Sequence, residues 1–494
     1  MNRPIRNLAI GCMLLFLALL LNATYLQYWQ AETLTSLSEH PDNRRVLDAT
    51  FSQPRGAIVV KGQAVAESVK SNDEYEYQRQ YPQGREYAHL TGYFSRDWGV
   101  GGIEASQNSI LSGDDSKLFV NRVVDLLGNE SPEGGSVTLT VNPKAQQAAF
   151  DGMRDLGNNV RGAVVALEPS TGKVLAMISS PPFDPNRLAS HDFPAVTKAR
   201  NALVDNDLSP LNNRAIEEVL PPGSTFKLVT AAAALESGKF EPDSMVPGGA
   251  RLDLPQTDKD LVNDGGGSCG GDRITLTRAL QVSCNVSFGS VGMRLGADAL
   301  REQAEKFGFG ERFFHDLDDA LTRQAVSRFP EDPDEPQTAL SAIGQFDVAA
   351  TPLQMAMVTA GIANGGTVMK PYLVDEVRSN DLEVLDKTAP ESLSSAVSAA
   401  NARKLTDMMV AVVDNGTART AQIPGIEVAG KTGTAQSAPS RPPYAWFVSF
   451  APADNPTVAV AVLVQDAGVD RDAISGSGLA APIAKRVMEA VLNP

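Results

Sequence analysis

Three short groups of residues carry side chains able to do chemistry together. The first is Ser224 and Lys227, within Pro221-Pro222-Gly223-Ser224-Thr225-Phe226-Lys227. An alanine-rich helical run follows, as far as a possible stop at Gly238. Residues three apart lie one turn apart on one helix face, which brings the amine within reach of the hydroxyl. Serine is a poor nucleophile until a neighbour takes its proton, and a partly desolvated lysine can do this. A helix N-terminus adds positive potential that favours a developing anion. The second group, Ser283-Cys284-Asn285, starts 59 residues after Ser224 and offers a hydroxyl to relay a proton and an amide to hold a substrate amide. The third, Lys431-Thr432-Gly433-Thr434, starts 148 residues later. It offers a cation and two hydroxyls to a carboxylate, and at Gly433 room for a substrate backbone alongside. Each group alone is weak evidence; their order and contexts carry the weight.

Elements must hold these groups. Pro-Pro-Gly ends an extended segment, so Ser224 is expected at or near the start of a helix over 224–238. Further helical segments are read in pieces over 274–307 and 336–364, and over 400–415. Two apolar strands, 163–167 and 173–178, flank the turn Glu168-Pro169-Ser170-Thr171-Gly172. Strands 444–450 and 457–464 flank Ala453-Asp454-Asn455-Pro456, and a helix over 480–492 follows. Lys431 to Thr434 reads as an edge strand ahead of that hairpin. Strands at both ends with helices between them predict an α+β domain whose sheet is assembled from distant stretches of chain. Upstream, 57–60 and 136–141 read as short strands and 144–156 as a helix begun by Asn142-Pro143. The glycine-rich loop at 265–267 and the acidic, proline-rich stretch 329–335 read as solvated surface.

Whole-chain properties narrow the function. The 494 residues allow two to four domains, and 43% hydrophobic with 21% charged residues is ordinary for a globular protein. A formal net charge of −16 with no basic stripe disfavours nucleic acid as a partner. The four histidines form no HExxH or Cys/His cluster, so no metal site is expected. Arg3 and Arg6 precede an apolar stretch running from Leu8 to Trp29, about 33 Å as a helix and long enough to cross a bilayer. The basic side is expected in the cytoplasm, with Tyr25, Tyr28 and Trp29 at the far interface. No small-x-small site follows the apolar core, so an uncleaved anchor is expected over the alternative, a cleaved signal peptide. The remainder then lies outside the cytoplasm, where disulfides persist.

The combination Ser-x-x-Lys, Ser-x-Asn, Lys-Thr-Gly resembles the penicillin-binding protein and serine β-lactamase superfamily. More narrowly, the chain resembles the class B penicillin-binding proteins of actinobacteria. The resemblance extends to Pro54-Arg55-Gly56-Ala57-Ile58, Gly102-Ile103-Glu104, Asn213-Arg214-Ala215, Ile343-Gly344-Gln345, Thr351-Pro352-Leu353-Gln354 and Ala445-Trp446-Phe447. Two positions depart from the pattern: Leu220 stands where a tyrosine is expected, and Tyr444 where relatives often have histidine. Both touch the expected substrate groove and neither removes a catalytic group.

The resemblance implies a β-lactamase/transpeptidase-like fold, an antiparallel sheet flanked by helices, above a mixed N-terminal pedestal and one transmembrane helix. It divides the chain into a cytoplasmic tail (1–7), an anchor (8–29), a pedestal or partner-binding domain (32–155) and a penicillin-binding transpeptidase domain (156–494). It implies that Ser224 attacks the penultimate D-alanine carbonyl of a peptidoglycan stem peptide, with Lys227 as general base. Ser283 would assist proton transfer to the leaving amine and Asn285 would orient the donor peptide. Lys431, Thr432 and Thr434 would bind the terminal carboxylate, or that of a β-lactam, beside Gly433. The backbone N–H groups of Ser224 and Thr434 would form the oxyanion hole. No cofactor is implied. A SEDS-family glycan polymerase is the implied membrane partner, and septal wall synthesis the implied setting.

Cys269 and Cys284 are expected to pair in the oxidising compartment, the alternative being a buried free thiol at each. A bridge would add about 3 kcal/mol in the chain-entropy model and tether a loop beside the nucleophile. Two other motifs are decoys. Gly266-Gly267-Ser268-Cys269-Gly270 matches a hydrolase elbow but lacks the required strand and helix around it. Glu489-Ala490-Val491-Leu492-Asn493 resembles a β-lactamase deacylation motif but falls after Lys-Thr-Gly, and reads as an amphipathic helix. The remaining alternatives are a D,D-carboxypeptidase and a non-catalytic penicillin-binding sensor or scaffold.

Overall fold

The computed structural model describes residues 3–30, 51–118, 133–319, 322–436 and 442–493. Residues 1–2 of the expected tail, and 32–50 and 119–132 of the expected pedestal, lie outside the described residues. By contacts the chain divides into two units, one of residues 1–54 with 70–78, the other of 55–69 with 79–494.

In the first unit, the apolar run forms the helix Arg3–Thr24, which continues into a π-helical turn over Tyr25–Trp29. The helix buries none of its residues and is long and apolar enough to cross a membrane. Phe51 and Tyr75 meet edge to face, 5.4 Å between ring centroids.

The second unit is built on a five-stranded antiparallel sheet. Its order is Ala429–Ala435, Tyr444–Ala451, Val458–Asp466, Arg161–Leu167 and Val174–Ser180. The two hairpins read from the sequence therefore join at their Val458–Asp466 and Arg161–Leu167 strands, almost 300 residues apart in the chain. Every residue of Tyr444–Ala451 is buried, so the sheet is covered on both faces. Helices Pro143–Asp155 and Ala481–Leu492 pack on each other and on the sheet, as do Pro352–Ala363 and Ala399–Asn415. Capping explains several helix starts: Asn142, Thr351 and Ser398 each accept a backbone N–H from the first turn. The antiparallel sheet flanked by helices is the fold class expected from the sequence.

The N-terminal half holds a second, mixed sheet. Ile58–Val60 pairs parallel with Ser136–Leu139 and antiparallel with the strand Gln63–Lys70. On the other side of Ser136–Leu139 lies Val374–Arg378, then Val384–Lys387. Those last two strands come from far down the chain, within the 156–494 segment. Conversely the helix Pro143–Asp155, which the sequence reading assigns to the 32–155 segment, packs on the catalytic sheet. Linear boundaries cannot express this exchange of elements. Nearby in the chain, Arg55 and Arg79 clamp the buried Glu104 at 2.9 and 2.6 Å, and the Tyr81 hydroxyl donates to the same carboxylate at 3.1 Å. Burial pushes the Glu104 carboxyl up, but the two guanidiniums outweigh it and hold it below its ordinary value.

One surface expectation fails. The 329–335 stretch is only partly solvated: Phe329 is buried and stacks on Phe226 with 6.0 Å between centroids. An aromatic side chain overrides the polar composition around it.

Candidate active site

Ser224 lies on a 3₁₀ turn, Gly223–Phe226, and the α-helix begins only at Lys227 and runs to Glu236. The tight turn is built by glycines. Gly223 has φ +52° and its N–H donates to the Gly344 carbonyl at 2.9 Å. Gly344 has φ +74°, and a Cβ there would sit 2.1 Å from the Gly223 carbonyl oxygen. The Gly344-Gln345 marker thus has a physical cause: it lets a second segment press against the turn that carries Ser224. Phe226 anchors the turn between Phe309 and Phe329. The Trp446 indole donates to the Pro221 carbonyl at 3.0 Å, so this tryptophan is a buried core strut.

Lys227 is fully buried. Its amine donates to the Ser283 carbonyl and to Asn285 Oδ1, each at 2.7 Å, with a longer contact of 3.3 Å to Ser283 Oγ. Lys431, also fully buried, donates to Ser283 Oγ at 2.9 Å and to the Thr432 carbonyl at 2.8 Å. One hydroxyl therefore bridges two lysines. Burial, then the charge of Lys431, push the Lys227 amine well below its ordinary value, with Asp264 opposing. Burial brings Lys431 down to about 7. A neutral Lys227 beside a charged Lys431 is the favoured distribution. Two amine hydrogens then serve the two strict acceptors, and the lone pair is left for a proton.

The strand Ala429–Ala435 forms the sheet edge, as expected for Lys431 to Thr434, and abuts the Ser224 turn. A Cβ on Gly433 would lie 3.0 Å from both the Pro222 carbonyl oxygen and Thr225 Cγ2, and one on Gly223 would lie 3.0 Å from Ala435. Thr434, half-buried between these two contacts, is thus held beside Ser224. Their backbone N–H groups sit on touching segments, where two donors can converge on one oxygen. The Thr432 hydroxyl is 2.6 Å from that of Thr417.

The structure gathers Lys227, Ser283, Asn285 and Lys431 into one hydrogen-bonded cluster and sets Gly433 and Thr434 against the turn of Ser224. Cys269 and Cys284 are joined by a disulfide, which closes the loop beside this cluster. Asp264 and Thr417 escaped the sequence reading. Neither stands in a recognisable motif; only folding brings them in. The described residues contain no group of His, Cys, Asp and Glu fit to hold a metal.

Comparison with known proteins identifies the family. Residues 162–489 match the penicillin binding protein transpeptidase domain, and 55–137 match the penicillin binding protein A dimerisation domain. The chain is 42% identical to a peptidoglycan D,D-transpeptidase, PbpA, of Mycolicibacterium smegmatis, with 100% of this chain and 99% of that protein covered. It is also 42% identical to the PbpA of Mycobacterium tuberculosis, at the same coverage. The structure of penicillin-binding protein A from M. tuberculosis as a ceftriaxone acyl-enzyme superposes with a TM-score of 0.86 at 42% identity, covering 90% of this chain and 100% of that one. With two domain matches in the right order and a shared fold over nearly its full length, the chain belongs to the penicillin-binding protein transpeptidase family.

Proposed function

We propose that this chain is a serine D,D-transpeptidase that cross-links peptidoglycan stem peptides through an acyl-enzyme on Ser224, and that β-lactams inactivate it by acylating the same residue. The observation that carries this reading is the buried Lys227 amine, held by two short donor bonds one residue beyond the turn that presents Ser224. Lys227 takes the Ser224 proton as Oγ attacks the penultimate D-alanine carbonyl. The oxyanion is met by the N–H groups of Ser224 and Thr434; losing one such donor costs about 3–4 kcal/mol. As the tetrahedral intermediate collapses, the Lys227 proton passes through Ser283 to the leaving D-alanine nitrogen. The ester is then attacked by an acceptor amine, whose surplus proton returns by the same route. Lys431, Thr432 and Thr434 hold the donor's terminal carboxylate, and Asn285 orients the donor peptide. No metal or organic cofactor enters any step.

Fluorescent penicillin should label the wild type and not Ser224→Ala; a labelled mutant would show the nucleophile to be wrong. Cross-link formation between a donor strand and an amine acceptor separates transfer from hydrolysis, since D-alanine release without a transfer product would favour a carboxypeptidase.

The same reading places residues 1–7 in the cytoplasm, 8–29 in the cell membrane, and the pedestal (32–155) and transpeptidase domain (156–494) outside. The exposed apolar helix Arg3–Thr24 supports it, and protease accessibility in intact cells tests it. A SEDS-family glycan polymerase is the proposed membrane partner, contacted through the anchor and pedestal. Crosslinking from the anchor that captures no such polymerase would remove this part. Septal wall synthesis is the proposed setting, tested by whether a fluorescent fusion gathers at division sites.

A further inference from the structure

The Ser283-Cys284-Asn285 motif must be held against Lys227 by something, and the disulfide is only one of its ties. Cys284 bonds the loop at Cys269. A second set of ties runs through the pair Val262-Asn263, at the end of the short strand Asp260–Val262. The Asn285 Nδ2 donates to the Val262 carbonyl at 3.1 Å, which turns its Oδ1 toward the Lys227 amine. Asn263 is buried, and its carboxamide uses both ends. Its Oδ1 accepts the Val286 N–H at 3.1 Å, in the first turn of the helix Asn285–Leu295. Its Nδ2 donates to the carbonyls of Gly249 and Gly267, each at 2.9 Å. The helix has no cap from its own N-cap side chain, because that residue is the half-cystine Cys284. Asn263 supplies the missing acceptor from a distance. Ser283 meanwhile sits at φ +60°, a conformation that a non-glycine residue keeps only when its surroundings impose it.

We propose that Asn263 is a positioning residue for acylation: its carboxamide pins the start of the Asn285–Leu295 helix to the glycine-rich loop, and so keeps Ser283 and Asn285 in register with Lys227. This rests on the reading of Ser224 and Lys227 given above. Its hydrogen bonds all run to main chain, and its Oδ1 also lies 3.5 Å from the half-cystine sulfur of Cys284, so the residue touches none of the groups proposed to react. It acts through Asn285 and Ser283, and its loss lets both move while the rest of the sheet domain stays intact.

The test is a double-mutant cycle read by the second-order rate of fluorescent penicillin acylation, with thermal unfolding alongside. Asn263→Ala is expected to acylate about 10- to 100-fold more slowly, as displacements on the order of 1 Å cost that much. In an Asn285→Ala background, where Lys227 has already lost its Oδ1 partner, the same change should cost less than about 3-fold. A residue needed only for stability would lower the unfolding midpoint and slow both backgrounds equally, or neither. Asn263→Ala acylating at the wild-type rate, or additive losses in the cycle, overturns the proposal. Should Asn263→Ala fail to fold, Asn263→Asp is read in the same cycle by the same criteria; it keeps the acceptor for Val286 and loses the donors to Gly249 and Gly267. Ser224→Ala run in parallel separates the two readings: its labelling would defeat the site itself, whereas its silence beside a fully active Asn263→Ala defeats the positioning role alone.

Discussion

At the residue scale, two buried amines share one hydroxyl, and pH decides how the charge is divided. In the proposed mechanism Lys227 must be neutral to take the Ser224 proton, and its amine is held well below its ordinary value by burial and by Lys431. Acylation should therefore fall on the acid side as Lys227 protonates. In the same mechanism Lys431 must be charged to hold a carboxylate, and burial brings its amine down to about 7. Penicillin capture should weaken as pH rises through that value, and a bound carboxylate, which favours the ammonium, should move this limb upward. The rate of penicillin acylation against pH is then a bell, and a flat alkaline limb would show that the Lys431 charge does not matter. The same group has a stability consequence of opposite sense. Its folded value lies below the unfolded 10.5, so the unfolded chain binds more protons between these values and stability rises with pH across that window. Lys431→Met should remove this contribution to the slope and gain about 1–2 kcal/mol at neutral pH while losing acylation. Denaturant titrations at two pH values check it.

At the scale of elements, the turn that carries Ser224 is set by a contact between two glycine turns. Gly344 at φ +74° cannot accept a side chain without displacing the Gly223 carbonyl, whose oxygen would lie only 2.1 Å from the new Cβ. Gly344→Ala should slow acylation about 10- to 100-fold by displacing Ser224, with folding largely retained. Stopped-flow acylation with a chromogenic β-lactam checks this, and an unchanged rate would mean the turn is held by Phe226 alone. The Cys269–Cys284 bridge closes a loop with a sequence separation of 15 residues. Replacing both cysteines by serine should cost about 3 kcal/mol of stability, measurable as a lower urea midpoint.

At the scale of the molecule, the N-terminal half and the catalytic half exchange elements. The strand Val374–Arg378 completes the N-terminal sheet, while the helix Pro143–Asp155 covers the catalytic one. The two should unfold together. Glu104→Ala leaves the guanidiniums of Arg55 and Arg79 buried without their carboxylate, which costs about 3–5 kcal/mol. Calorimetry should show one transition moved down for the whole unit. A separate early transition, with penicillin binding retained above it, would show that the halves are thermodynamically independent.

The sequence by itself determined the family, the fold class and the local elements. Motif order picked out Ser224, Lys227, Ser283, Asn285 and Lys431 as candidates, because the proposed chemistry demands particular side chains at short spacings, and the last four meet in one hydrogen-bonded cluster. The Ala445-Trp446-Phe447 strand and the helix after Asn142-Pro143 were legible from apolar runs and caps. Only the tertiary structure decided which strands neighbour each other, that the α-helix starts at Lys227 rather than at Ser224, and that Arg55, Arg79 and Glu104 form one buried cluster. It also brought in Asn263, Asp264 and Thr417. The physical reason is separation along the chain. A lowered amine pKa, a clash at a missing Cβ and a carboxamide spanning three carbonyl and amide groups arise from residues tens to hundreds of positions apart. No local pattern encodes them.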